Sequence, residues 1–228
     1  MHRSLCVLPS AGIFGRVQLA IAAIAASIAL CGVAQASTNL IFNGNFELGN
    51  TGFYTDYNFS PSNGVPEGVY AILSDPGPPW HPLATSYGDH TTGSGLMMAV
   101  NGHPDPNKIV WQQTVSVSAN TAYIFSGWVS SWYPASPAQL QISINSIPLG
   151  VVTAPNTTGV WQQFSFTWFS GTSTTAVLSI VNLNTERIGN DFALDDLSFV
   201  VPEPVSLLAL GAGLIGLAAR KRLRSKVS

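Results

Sequence analysis

Between residues 37 and 201 short apolar runs alternate with clusters of Gly, Pro, Asn and Ser. No stretch there keeps an apolar residue every three to four positions, so amphipathic helices are not expected. The runs are rich in Val, Ile, Thr, Phe, Tyr and Trp and predict strands near residues 40–46, 68–73, 95–100, 109–117, 122–131, 139–145, 161–169, 176–183 and 192–200. Leu140, Ile142 and Ile144 alternate with Gln139, Gln141 and Ser143, giving a strand with one dry and one wet face. Asn145-Ser146, followed by Ile147-Pro148-Leu149-Gly150, reads as a hairpin turn. This spacing predicts an all-β, antiparallel β-sandwich rather than a sheet with crossover helices.

Only the two ends break the pattern. Arg3 and Arg16 precede an apolar run over 17–33 that closes on Ala34-Gln35-Ala36, a small-x-small cleavage site. Residues 1–36 therefore predict a secretory signal helix, with the mature chain starting at Ser37. Cys31 would suit a lipoprotein, but Leu30 stands where that signal needs a small residue. At the other end residues 205–219 carry no charge and would reach roughly 22 Å as a helix, somewhat short of the bilayer core. Arg220, Lys221 and Arg222 follow at once, able to snorkel to the headgroups and hold that end in the cytoplasm.

With the ends set aside, composition changes the picture. Both cysteines, Cys6 and Cys31, fall in the expected signal, so the exported part must be stable without disulfides. Its length suffices for one domain with its own core. From Ser37 to Val201 only Lys108 and Arg187 are basic against ten acidic residues, a net charge of −8. Nucleic acid is not an expected partner of such a surface.

Val201-Pro202-Glu203-Pro204, a short apolar segment and a basic terminus, in that order, resemble the PEP-CTERM sorting signal of Gram-negative bacteria. The resemblance implies a domain order of signal peptide (1–36), sandwich (37–200) and sorting signal (201–228). It also implies export by the secretion machinery, an intermediate held in the inner membrane by a transmembrane helix, and processing by an exosortase at or near the box. The sorting residues are then Pro202, Glu203, Pro204, Arg220, Lys221 and Arg222. An ordinary single-pass anchor is the competing reading.

The opening Asn39-Leu-Ile-Phe-Asn-Gly-Asn-Phe-Glu-Leu-Gly49 and the closing Asp191-Phe-Ala-Leu-Asp-Asp-Leu-Ser-Phe199 resemble the first and last strands of galactose-binding-like jelly rolls, common among carbohydrate-binding modules. That likeness implies terminal strands lying side by side and a structural calcium; by position Asn45, Glu47 and Asp195 would serve it. Strict alternation puts Asp195 on the face of Leu197 and Phe199, and a carboxylate drawn inward needs a cation or donors. The alternative is that Asp195 caps loop amides or pairs with Arg187. His81, Asp89, His90 and His103 lack zinc-motif spacing and read as loop residues.

Chemistry follows from the aromatics. Trp128, Trp132 and Tyr133, with Trp80 from the long Pro-rich loop 49–89, are the expected sugar-stacking residues, unless they fill the sandwich or plug the loop onto it. Asp195 and Asp196, adjacent on a strand, cannot flank one glycosidic bond, and neither a Gly-x-Ser-x-Gly elbow nor a His-Glu-x-x-His motif occurs. The expectation is noncatalytic binding of polysaccharide at the cell surface or in the extracellular matrix, with a structural or adhesive matrix protein as the alternative.

Overall fold

The computed structural model describes residues Ser37–Pro202, which form one compact unit. The expected signal helix and the tail with Glu203, Pro204, Arg220, Lys221 and Arg222 lie outside the described residues. Among the described residues there is no α-helix, and none long and apolar enough to cross a membrane.

Ten strands form two sheets, giving the all-β sandwich the sequence predicts. The larger sheet contains β1 (Asn58–Phe59), β2 (Val69–Leu73), β3 (Met97–Asn101), β5 (Ala122–Tyr133), β8 (Gln162–Phe169) and β10 (Asp191–Val200), in the order β1-β2-β3-β10-β5-β8. The smaller contains β4 (Ile109–Ser116), β6 (Gln139–Ile144), β7 (Ile147–Thr153) and β9 (Thr175–Asn182), in the order β4-β9-β6-β7. Pairing is antiparallel throughout except for the short β1–β2 contact and a single bridge between Ser131 and Thr158.

Two expected elements differ. Asn145 and Ser146 do turn the β6–β7 hairpin, both with positive φ, but Ile147 to Gly150 opens β7 instead of belonging to the turn. Residues 40–46 are not a strand: Asn43 and Phe46 take positive φ and the segment folds into turns. It still lies beside the last strand, as Leu40 N donates to Phe199 O and Leu197 N to Gly44 O, both at 2.9 Å. Asn39 completes the contact, accepting from Phe199 N and donating to Leu197 O. A Cβ at residue 44 would collide with the Leu197 carbonyl, so only glycine allows this approach.

The apolar core lies between the sheets. Trp111, Phe125, Leu140, Ile142, Leu178, Phe192 and Phe199 are fully enclosed there. A second, smaller cluster sits on the outer side of the larger sheet, where Trp80 and Ala84 of the long loop cover Val69, Ala71, Ala99 and Trp132. Trp80 and Trp132 meet edge to face with centroids 5.8 Å apart. Their indole nitrogens are satisfied by backbone carbonyls, Trp80 Nε1 by Ser60 O at 2.8 Å and Trp132 Nε1 by Phe192 O at 3.0 Å.

Truncating Trp132 should therefore unseat the loop. Trp132→Ala is expected to destabilise the protein by about 3–5 kcal/mol, measured by urea unfolding, and to speed proteolytic nicking within residues 74–88.

Candidate functional site

The expected aromatic platform divides. Trp80 and Trp132 are buried, 4% and 0% exposed, so neither offers a plane to a ligand; they seal the loop to the sheet. Trp128 is half-buried, and one of its faces is taken by the His90 ring, stacked at 3.8 Å and 18°. Tyr133 is half-buried and packs against the Trp80–Trp132 cluster. Trp128 and Trp132 share one sheet face as alternation requires, but a 23-residue connection between β2 and β3, which carries Trp80, folds over that face.

Asp195 is also placed differently. A bulge between Asp195 and Ser198, with Asp196 at φ 47°, inserts one residue into β10 and reverses its phase. Phe192 and Leu194 face the core before it, Leu197 and Phe199 after it, and Asp195 lies on the opposite face, fully buried. Its carboxylate caps the loop: Oδ2 accepts from His90 N at 2.9 Å and Thr91 N at 3.3 Å, and Oδ1 from Asp196 N at 2.8 Å. Two further carboxylates do the same work nearby. Asp89 accepts from Thr92 N and Gly95 N at 2.9 and 2.7 Å, and Glu47 from Leu96 N at 2.7 Å. The loop 89–96 is thus held by its own amides donating to three acids.

Burial pushes the Asp195 carboxyl up to about 7 despite these donors, with the Asp196 charge adding to the rise. Burial acts on Asp89 in the same direction, but the Thr92 and Gly95 amides outweigh it and its carboxyl ends below the ordinary range. Of the residues expected to serve a calcium, Glu47 and Asp195 both accept backbone amides of the loop 89–96. Asn45 is exposed and lines a shallow hollow with Asn43 and Asp196, to which neither Glu47 nor Asp195 contributes. Among the described residues no three His, Cys, Asp or Glu side chains are grouped to hold a metal, His81, Asp89, His90 and His103 included. The capping alternative is what the geometry supports for Asp195.

The open surface is elsewhere, on the outer face of the four-stranded sheet. Register sets Gln112 opposite Ser179 and Ser179 opposite Ser143, and beside this row Val181 opposite Gln141 opposite Val151. Tyr54 extends the first row, exchanging two backbone bonds of 2.9 Å with Gln112. Because Phe53 packs inward, Tyr54 projects outward, and it is 55% exposed. Its hydroxyl donates to Asp56 at 2.6 Å, which orients the ring. That bond raises the Tyr54 hydroxyl and, with the Ile109 amide, lowers the Asp56 carboxyl. From Tyr54 to Ser143 the row crosses three strand spacings, roughly 14 Å. Ser179 and Ser143, both buried, lie toward its far end, with Gln112, Gln141 and Thr114 around them. No sequence signal singled out Tyr54 or Gln112; the pairing of a loop residue with β4 was needed to align them.

Comparisons with known proteins agree with this architecture. Residues 200–222, of which Val200, Val201 and Pro202 are described, match the PEP-CTERM protein-sorting motif. No curated protein matches the chain. Among solved structures it is similar to a Stig cyclase, Fisc from Fischerella sp. TAU, with TM-score 0.51 and 11% identity, covering 74% of this chain and 99% of that one. It is similar to an arabinose-bound α-L-arabinofuranosidase, MgGH51, with TM-score 0.50 and 12% identity, covering 75% of this chain and 27% of that one. The CBM22-1 xylan-binding domain of Xyn10C from Paenibacillus barcinonensis aligns with TM-score 0.46 and 13% identity, over 75% of this chain and 99% of that domain. These likenesses concern the sandwich fold.

The buried Asp195 gives a pH signature. Folded, it keeps its proton up to about pH 7, whereas the unfolded chain releases it near 3.8. Rising pH through that window favours the unfolded chain, so this contribution to stability is lost between those values. Wild type is expected to lose on the order of 5 °C more in Tm than Asp195→Asn between about pH 4 and pH 7, by calorimetry in chelator.

Proposed function

We propose that this chain is an exported envelope or extracellular-matrix protein that binds polysaccharide, without catalysis, on the open face of its four-stranded sheet. The observation carrying this reading is the row led by Tyr54 and Gln112, an exposed aromatic plane beside a half-buried amide on a rigid sheet, which runs on to the buried hydroxyls of Ser179 and Ser143. Sugars present apolar C–H faces ringed by hydroxyls, so they need such a plane beside donors and acceptors that point both ways. The carboxylate at this row is Asp56, engaged by the Tyr54 hydroxyl and the Ile109 amide. Cleaving a glycosidic bond ordinarily takes two carboxyl groups across one cleft, and the row supplies no such pair.

The motif at 200–222 supports the route. The chain passes through the secretion machinery, is held in the inner membrane by its tail, and is released to the surface or matrix by an exosortase. The excess of acids over bases between Ser37 and Val201 fits a polymer recognised by hydrogen bonding and stacking, and disfavours anionic nucleic acid.

The test is binding of the purified full-length chain to extracellular polysaccharide and a glycan panel. Saturable binding is expected, weakened about tenfold (~1.4 kcal/mol) by Tyr54→Ala with an almost unchanged Tm, since the ring is mostly solvated. Absence of saturable binding by folded wild-type protein would move the assignment to a structural or adhesive matrix protein. Binding untouched by both Tyr54→Ala and Gln112→Ala would place the sugar site away from this face.

A further inference from the structure

At the far end of β2, β3 and β10 a second polar cluster is buried for no purpose used so far. Val69 pairs with Asn101 and Val100 with Phe192, so Asn101 stands beside Asp191 on the outer face of the larger sheet. Glu67 enters one residue before Gly68, whose amide bonds the carbonyls of Asn101 and Gly102. Gly102 is the hub. Its amide donates to Asp191 Oδ1 at 3.3 Å, and a Cβ there would collide with the Asn190 side chain.

Glu67, Asn101, Asn190 and Asp191 present oxygen at this hub, beside the His103 ring that lies against Gly68, and three of those oxygens have no partner. Asn101 and Asn190 are 4% and 0% exposed. The Asn101 Nδ2 donates to Gly64 O at 2.8 Å and the Asn190 Nδ2 to Asn184 O at 3.0 Å, which fixes their amide orientations. Their Oδ1 atoms, like Glu67 Oε2, are enclosed and accept nothing. Buried acceptors left this way cost free energy, and they share a low-dielectric site with two acids. Burial and the Glu67 charge both raise the Asp191 carboxyl, to about 7. Burial raises Glu67 as well, against the opposing pull of the exposed Arg187. Among the described residues the ion pairs involve only His90 and His103, so no lysine or arginine stands within ion-pair distance of these acids.

We propose that Glu67, Asn101, Asn190 and Asp191 form a site for a hard divalent cation, calcium being the ion whose ligand preferences they fit. Calcium accepts six to eight oxygens from carboxylates, carboxamides and carbonyls in a flexible shell, whereas magnesium insists on an octahedron and keeps its waters. Ligands of this type would not be favoured by zinc or copper. A buried water could donate to two of the orphaned oxygens, but it would leave both carboxylates uncompensated. The ion would tie the start of β2 to β3 and β10, a second fastening separate from the capped loop 89–96.

The test uses the full-length chain stripped with chelator and titrated with calcium, read by thermal melting and by terbium emission sensitised by protein aromatics. Calcium is expected to raise Tm to saturation and to displace terbium. Asp191→Asn should abolish both signals. Glu67→Gln, at a half-buried position where folding is retained, should weaken calcium at least about tenfold, the lower range for disturbing a metal's surroundings. Glu47→Gln and Asp195→Asn should keep the full response. A Tm indifferent to calcium, or a response that survives Glu67→Gln and Asp191→Asn, would overturn the site.

Discussion

The architecture depends on one extra residue in β10. This strand lies inside the larger sheet, between β3 and β5, and its far half is flanked by the chain's first segment instead of β3. Without the bulge at Asp195 and Asp196, strict alternation could not put Phe192, Leu194, Leu197 and Phe199 all in the core. The slip resolves that conflict and sends Asp195 to the other face, where the loop 89–96 offers amides to meet it. One local distortion thus serves the core and the loop together.

The two outer faces have opposite fates for a related reason. On the larger sheet the outer face carries Trp132, Ala99, Ala71 and Val69, an apolar strip that water would disfavour, and the long loop covers it with Trp80 and Ala84. On the smaller sheet the outer face carries Gln112, Thr114 and Gln141, polar and at ease in water, around the buried Ser143 and Ser179. Burial therefore consumed the most conspicuous aromatics and left a quieter face, edged by Tyr54, as the surface available to a partner.

Scarcity of positive charge sets the remaining constraint. With Lys108 and Arg187 the only bases between Ser37 and Val201, the buried acids must be met by backbone amides or by ions from solution. Asp89 and Asp195 find amides on one short loop, as does the exposed Glu47. Asp191 finds one from Gly102 and faces Glu67, and the orphaned Asn oxygens around it mark the place where the chain's own donors run out.

Much of this was legible in residue order. Runs rich in β-branched and aromatic residues, bounded by turn formers, located eight of the ten strands and missed β1 and β7, and the Pro-Glu-Pro box with its apolar and basic continuation is a local signal matched over residues 200–222. The first segment was misread as a strand because its apolar content is right while the positive φ at Asn43 and Phe46, which breaks it, is not encoded by hydrophobicity. Whether Trp80 and Trp132 meet a ligand or each other, which face Asp195 occupies, and that Tyr54 stands in line with Gln112 were decided only by tertiary structure. Each depends on a contact between segments distant in sequence, and composition or spacing within one segment carries no record of what another will cover.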